Sequence, residues 1–155
     1  MDATETLRTI PALSLARRHL IRTWRGTPIR SSIHTLRGES VGCVAVVDND
    51  RLVGIVTERD LVARAYAPGV DGDTPVETIM TAEPRCLGID DSVADALRLF
   101  VDEDVRHLPI VDAEGRPIAV LTSDDVLELI ADAAPQVTHN LPPEPVAETG
   151  QREGG

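Results

Sequence analysis

The sequence is poor in aromatic residues and strongly acidic. Its 155 residues include one Phe, one Tyr and one Trp, and the formal net charge is −11 at pH 7. Proteins that bind nucleic acid rely on basic surfaces and on aromatic side chains that stack on bases. The first 40 residues hold seven Arg against three acids, and Arg-rich arms can touch phosphate backbones. The acidity of the remainder nevertheless argues against nucleic acid as a partner.

Long apolar runs, paired cysteines and clustered histidines are also lacking. No stretch reaches the ~18 to 20 apolar residues of a membrane helix, and the first 25 residues show no secretory pattern. We therefore expect a soluble, cytoplasmic protein with no membrane partner. Cys43 and Cys86 form no C-x-x-C motif, and the four histidines show no metal-binding spacing. The sequence thus predicts neither a disulfide framework nor a metal site.

The chain does contain an internal repeat. Residues 41–61 (VGCVAVVDNDRLVGIVTERDL) return as residues 105–126 (VRHLPIVDAEGRPIAVLTSDDV), at an offset of 64 that becomes 65 after Gly115. Pro11 matches Pro75 at the same offset. A repeat of this kind indicates two similar structural units. Because each half would be marginally stable alone, we expect the two to fold together.

Each copy predicts a strand, a helix, two strands and a second helix. The two central strands are short apolar runs separated by turn residues, which is typical of a hairpin of buried strands. In the first copy the hairpin strands are predicted at Cys43–Asp48 and residues 52–57, followed by a helix at residues 59–67. In the second copy they are predicted at residues 107–112 and Pro117–Thr122, followed by a helix at residues 124–134. The opening strand is clearest at residues 85–89 and is polar in the first copy.

Turn residues and composition suggest the boundaries of the units. Gly115 can supply the positive φ of a three-residue turn, and Pro109 within a strand suggests a sheet edge or a bulge. We expect a flexible N-terminus at residues 1–9, a first unit at 10–67 and a linker at 68–73. A second unit at 74–134 and a disordered tail at 135–155 should follow.

Two Thr-x-x-Asp motifs precede the closing helices, Thr57 with Asp60 and Thr122 with Asp125. The spacing is close to that of a capping box, which satisfies the first N–H groups of a helix and needs no ligand. Two further stretches with this spacing are interpreted as plain caps, residues 74–77 and residues 92–95. A carboxylate also suits the vicinal hydroxyls of a ribose, and helix N-termini bind phosphate. The motif alone leaves both roles open.

These residues resemble the cystathionine-β-synthase (CBS) domain, whose units occur in pairs called Bateman modules. The resemblance covers most of residues 26–134, and the family's closing motif reads GIVTERD from Gly54 and AVLTSDD from Ala119. It implies an α+β fold, a tandem pair of βαββα units packed about a pseudo-twofold axis with two clefts between them. It also implies a homodimer that is not an enzyme and regulates an unidentified protein. No cofactor is required, and the implied ligand is AMP, ADP, ATP or S-adenosylmethionine.

The resemblance also assigns residues to the ligand. By motif position, Asp60 and Asp125 would accept hydrogen bonds from ribose hydroxyls, with Thr57 and Thr122 nearby. The expected phosphate contacts are Arg59, Arg106 and His107, and the expected purine contacts are Cys86, Leu87 and Ile110. Each group has an ordinary structural alternative, since apolar residues can belong to the core, Arg106 can be a solvated cation and His107 can be a half-buried strand residue.

Two functions therefore remain open from the sequence. The first is a sensor of an adenine nucleotide or adenosyl ligand, and the second is a ligand-free dimerisation or protein-interaction module. An enzyme is disfavoured because neither Cys43 nor Ser123 has an evident base and orienting residue.

Overall fold

Two small β-sheets, one built around the hairpin of each half of the repeat, are present in the computed structural model, which describes residues 2–18, 20–39 and 41–133. The first sheet has the order β1-β2-β3-β4 and the second β5-β6-β7. The strands are β1 (Arg22–Trp24), β2 (Cys43–Asp48), β3 (Arg51–Thr57), β4 (Thr81–Ala82), β5 (Leu87–Gly88), β6 (His107–Val111) and β7 (Pro117–Thr122). The predicted tail at 135–155 lies outside the described residues.

Helices complete each unit. They are α1 (Ala3–Thr9), α2 (Ile29–Glu39), α3 (Glu58–Asp60, continued by a π-helical turn at Leu61–Tyr66), α4 (Val93–Asp102) and α5 (Ser123–Ala133), with 3-10 turns at Ala12–Leu15 and Val76–Thr78. Both copies therefore follow the order strand, helix, strand, strand, helix. The predicted α+β tandem of βαββα units is confirmed.

The two hairpins differ at their turns. Asn49 and Asp50 have φ values of 48° and 63°, so the first turn has two residues and Arg51 already belongs to β3. The second turn contains Gly115 at a φ of 80°, as predicted. Pro109 lies on the central strand β6 rather than at an edge, but the pairing with β5 begins only at Ile110. A register shift follows between Ile110 and Val111, but its extra residue, Ile118, lies on β7, so the irregularity is not a bulge at Pro109.

The opening segment of each unit packs into the core of the other unit. Ala12 and Leu15 are buried in the core of the second unit with Leu87 and Val93. The backbone N–H of Ala12 donates to the carbonyl of Asp91 at 2.9 Å. This exchange buries apolar side chains of each half in the other half's core, so the two units share their stability.

The reciprocal exchange builds one edge of the first sheet. Val76 and Ile79 are buried with Ile29 and Val46 of the first unit. Directly after them, β4 pairs antiparallel with β3. The chain that enters the second unit therefore passes along the first sheet, close to the end of β3 where the Thr57 motif begins.

The N-terminus differs from the sequence expectation. Residues 1–9 were expected to be flexible, but Ala3–Thr9 forms α1. Leu7 of this helix packs against the core of the second unit. This segment matches no other part of the sequence, so the internal repeat could not predict its helix.

Candidate functional site

Both Thr-x-x-Asp motifs form the reciprocal hydrogen bonds of a capping box. Thr57 Oγ1 accepts from the N–H of Asp60 at 3.2 Å, and Asp60 Oδ2 accepts from the N–H of Thr57 at 2.9 Å. The corresponding distances for Thr122 and Asp125 are 3.2 and 2.8 Å. Capping is thus a real role of these residues. Each cap uses only Oδ2, so Oδ1 of each aspartate is left for another partner.

The two stretches interpreted as plain caps behave differently from each other. Ser92 and Asp95 form the same capping box, as predicted. The interpretation of residues 74–77 was wrong, because the 3-10 turn there begins after Pro75 and has no side-chain cap. Its acidic residue, Glu77, instead accepts from Arg25 Nε at 2.6 Å.

Burial separates the two cleft motifs from the ordinary cap. The side chain of Asp95 is 41% exposed, whereas those of Asp60 and Asp125 are 12% and 3% exposed. A helix cap on the surface does not require its carboxylate to be enclosed. Asp60 lines a cavity together with residues of the second unit, and Asp125 faces Arg18 from the chain before β1. Both carboxylates therefore lie where the two units meet.

A cavity of about 760 Å³ adjoins the Thr57 motif. Its walls come from both units. They are Gly42, Ile55, Thr57, Glu58, Arg59, Asp60, Arg64, Thr81, Glu83, Pro84, Arg85, Glu103, Asp104, Val105, Arg106 and His107. The size falls within the range of pockets that hold small molecules, about 300 to 1,000 Å³. Five of the ten predicted site residues line it: Thr57, Arg59, Asp60, Arg106 and His107.

Two of the arginines in this cavity are already engaged. Arg64 Nε lies 3.7 Å from Asp60 Oδ1, and Arg64 Nη1 donates to the Ile79 carbonyl and to Thr81 Oγ1 at 3.3 and 3.2 Å. Arg85 pairs with Glu103 at 3.3 Å. Arg64 is not among the site residues predicted from the sequence, although its position four residues after Asp60 places it on the same helix face.

Among the described residues, the other two arginines have no side-chain partner. Neither Arg59 nor Arg106 makes an ion pair or side-chain hydrogen bond with any residue in the described ranges. Both side chains belong to exposed residues at the mouth of the cavity. Unpaired guanidinium groups beside a cavity are suited to an anion.

His107 lies between the two units. It starts β6, pairs with Thr122 on β7, and also lines the cavity that contains Thr57. A Cβ atom added to Gly42 would lie 2.7 Å from His107 Nε2, so only glycine fits there without displacement. Burial lowers the pKa of His107, the charge of Arg18 lowers it further, and Glu58 and Asp124 oppose the shift.

The remaining predicted residues lie elsewhere. Cys86 is exposed and is not part of the cavity wall. Leu87 and Ile110 are paired across β5 and β6 and are 1% and 0% exposed in the second core. Thr122 and Asp125 do not line this cavity, and the resemblance to the CBS domain implies that they belong to a second, opposite cleft. Apolar spacing alone could not distinguish wall from core, because both use the same residue types.

The opposite cleft is organised around a different arginine. Arg18 Nε lies 3.8 Å from Asp125 Oδ1, and the backbone of Arg18 bridges to Val120 on β7. Thr122 and Asp125 are 6% and 5% exposed. The repeat thus places the two motifs equivalently, but their surroundings are not the same.

Comparison with known proteins agrees with this architecture. The family model described as "CBS domain" matches residues 12–66 and residues 76–132. The chain belongs to the CBS domain family. It is a CBS pair, and the resemblance in its motifs is confirmed. CBS pairs are in general regulatory modules.

Individual relatives show the extent of the similarity. An uncharacterized protein of Methanopyrus kandleri is 31% identical over 128 residues, which is 79% of this chain and 64% of that protein. The chain therefore spans less than two thirds of this relative's length. A conserved protein from Pyrococcus horikoshii, of known structure, is 25% identical with a TM-score of 0.71, and the match covers 84% of this chain and 95% of that one.

Some solved CBS structures contain ligands. The cytosolic domain of the Mg²⁺ channel MgtE, solved in complex with ATP, is 28% identical with a TM-score of 0.67, covering 82% of this CBS pair and 51% of that chain. Two others share the fold at 22% identity: CBSX2 with AMP, and the CBS domain pair of protein MJ0100 with S-adenosylmethionine and 5′-methylthioadenosine. None of the helices in the described part of this chain is long and apolar enough to span a bilayer.

Proposed function

We propose that this CBS pair is a non-catalytic regulatory protein that binds an adenine nucleotide in the cleft of Thr57 and Asp60. The ligand would change its shape or oligomeric state and so act on a separate, unidentified protein. A cytoplasmic location fits this role. The observation that carries the proposal is the cavity in which Asp60 of one unit and Arg106 of the other line the same space.

The ribose would be recognised by Asp60. Its Oδ2 remains in the cap, while Oδ1 is held only by a 3.7 Å ion pair with Arg64. A carboxylate oxygen accepts hydrogen bonds readily from a pair of hydroxyl groups. Capping and ligand binding are therefore compatible at this residue, since they use different oxygens.

The phosphate would lie between Arg59 and Arg106. These side chains have no other partner among the described residues, so a phosphate would not have to break an existing ion pair. A charge-assisted hydrogen bond contributes about 1.5 to 3 kcal/mol. His107, behind Arg106, could add a further N–H donor.

The adenine ring would contact the apolar part of the wall. Ile55, Pro84 and Val105 line the cavity, while Leu87 and Ile110 support that wall from the second core. The ATP, AMP and S-adenosylmethionine bound in related folds support an adenine-containing ligand without selecting one.

Thermal unfolding with AMP, ADP, ATP, NAD, S-adenosylmethionine and GMP, each at millimolar concentration, tests the proposal. A ligand at 100 times its Kd adds about 2.7 kcal/mol, which raises the Tm of a chain of this size by roughly 5 to 10 °C. Asp60→Asn should abolish this rise. Asp95→Asn is the matched control, since it alters an equivalent cap outside the cleft. Loss of the rise in both variants would contradict the ribose contact of Asp60, and no rise with any adenine ligand would contradict nucleotide binding.

A ligand-free dimerisation module is the second candidate, and a surface groove favours it. The groove is lined by Ile33, Leu36, Arg37, Glu58, Leu61, Val62 and Tyr66. Val62 and Tyr66 are 61% and 85% exposed, and Leu127, the repeat counterpart of Val62, is 60% exposed. Apolar side chains at equivalent positions of both units are suited to a homodimer. Sedimentation of Val62→Asp beside the unaltered protein tests it, because a homodimer using this face should dissociate.

A further inference from the structure

The two clefts are equivalent in the repeat but not in their cations. Arg59, Arg85 and Arg106 line the first cavity. At offsets of 64 or 65, the repeat counterparts of these residues are Asp124, Ile21 and Gly42, of which Gly42 also lines the first cavity. One cation is thus replaced by an acid and two by uncharged residues. A phosphate would find no equivalent set of partners in the second cleft.

The arginine that faces each aspartate also comes from a different place. Arg64 follows Asp60 on the same helical segment and is tied to the cavity wall through a hydrogen bond to Thr81 Oγ1. Arg18 instead comes from the segment before β1 and reaches Asp125 across the boundary between the units. Within the described residues, Asp125 is the only charged partner of Arg18.

Apolar packing occupies the space beside this ion pair. Leu20, the repeat counterpart of Pro84, packs against Cys43, Ile55 and Val120. Arg18, two residues before Leu20, pairs with the carboxylate of Asp125, whose side chain is only 3% exposed. An aspartate buried to this degree needs a paired cation or hydrogen-bond donors. The pair is about as long as that of Arg64 with Asp60, 3.8 against 3.7 Å, but Arg18 reaches its aspartate from the other unit and so joins the two sides of the cleft.

We propose that each chain binds one nucleotide, in the cleft of Thr57 and Asp60, and that Arg18 closes the other cleft by pairing with Asp125. The inference deepens the proposed function and rests on it for the ligand. The pairing of Arg18 with Asp125 can be tested without any ligand. The two parts therefore have separate experiments.

Isothermal titration calorimetry with AMP and with adenosine measures the number of sites. We expect one site per chain, lost in Asp60→Asn. Arg18→Ala should bind a second adenosine, because Asp125 Oδ1 becomes free and adenosine needs no phosphate partner. Arg17→Ala is the matched control, since Arg17 pairs with the exposed Glu128, and it should keep one site. Two sites in the unaltered protein, or one adenosine in Arg18→Ala, would overturn the inference.

A double-mutant cycle without ligand tests the closing ion pair. The Tm loss of Arg18→Ala combined with Asp125→Asn should be smaller than the sum of the two single losses. The Asp125→Asn variant keeps a side-chain oxygen that can accept from the N–H of Thr122, so the cap survives. Additive losses would overturn the role of Arg18 even if no nucleotide binds. Complete absence of nucleotide binding with a non-additive cycle would instead remove the proposed function and keep the ion pair.

Discussion

Replacing Arg106 by alanine should separate phosphate recognition from ribose recognition. Arg106 lines the cavity, is exposed, and has no side-chain partner among the described residues. Its removal leaves no unpaired buried charge, so the free energy of unfolding should change by no more than about 0.5 kcal/mol. Losing one charge-assisted hydrogen bond costs about 1.5 to 3 kcal/mol of binding. The Kd for AMP should therefore rise roughly 10- to 150-fold.

The assay is calorimetric titration of unaltered protein, Arg106→Ala and Arg98→Ala with AMP and adenosine. Arg98 is an exposed arginine that pairs with Asp95 on α4, away from the cavity, so its variant should bind as the unaltered protein does. Adenosine lacks the phosphate and should bind Arg106→Ala unchanged. An equal loss of affinity for both ligands would refute a phosphate contact, and so would an unchanged Kd for AMP.

Three further predictions concern stability and reactivity. Gly54→Ala should lower the free energy of unfolding by about 1 to 3 kcal/mol in urea titrations, because a Cβ atom there would overlap Met80. Burial lowers the pKa of His107, so the unfolded chain binds a proton at this residue more readily than the folded protein does. The free energy of unfolding should therefore fall as the pH drops below about 6.5, the ordinary pKa of histidine. The urea midpoint of His107→Gln should depend less steeply on pH than that of the unaltered protein. Burial raises the pKa of Cys43 to about 12. A thiol reagent at pH 8 should therefore modify only the exposed Cys86 in the folded protein and both cysteines after unfolding. Rapid modification of two thiols in the folded protein would be inconsistent with a buried Cys43.

The fold was readable from the sequence where residues carry their own local signal. The two hairpins and their following helices were predicted because β-branched runs, turn residues and apolar spacing recur in both copies. The exchange of the 3-10 turns between the two cores was not predicted from the sequence. Pro11 and Pro75 show that the two segments are equivalent, but local pattern does not show which core they enter. Only the packing of Leu15 and Val76 reveals that.

The candidate site was partly readable for the same reason. Thr57 and Asp60 follow a motif, and their capping geometry is local. The partners of their free oxygens are not local. Arg18 reaches Asp125 across more than 100 residues of sequence, and no spacing rule relates them. The ligand assignments stay predictions, because recognition depends on how side chains from both units converge.

The exchanged segments bear on what would happen if the chain were cut. A protease acting within residues 68–73 would leave two fragments, each of which contributes buried residues to the core of the other. Ala12 of the first fragment is buried in the second core, and Val76 of the second fragment is buried in the first core. Such fragments should stay together as a non-covalent complex that still presents the Asp60 cleft. The linker thus matters more for bringing the halves together during folding than for keeping them joined afterwards.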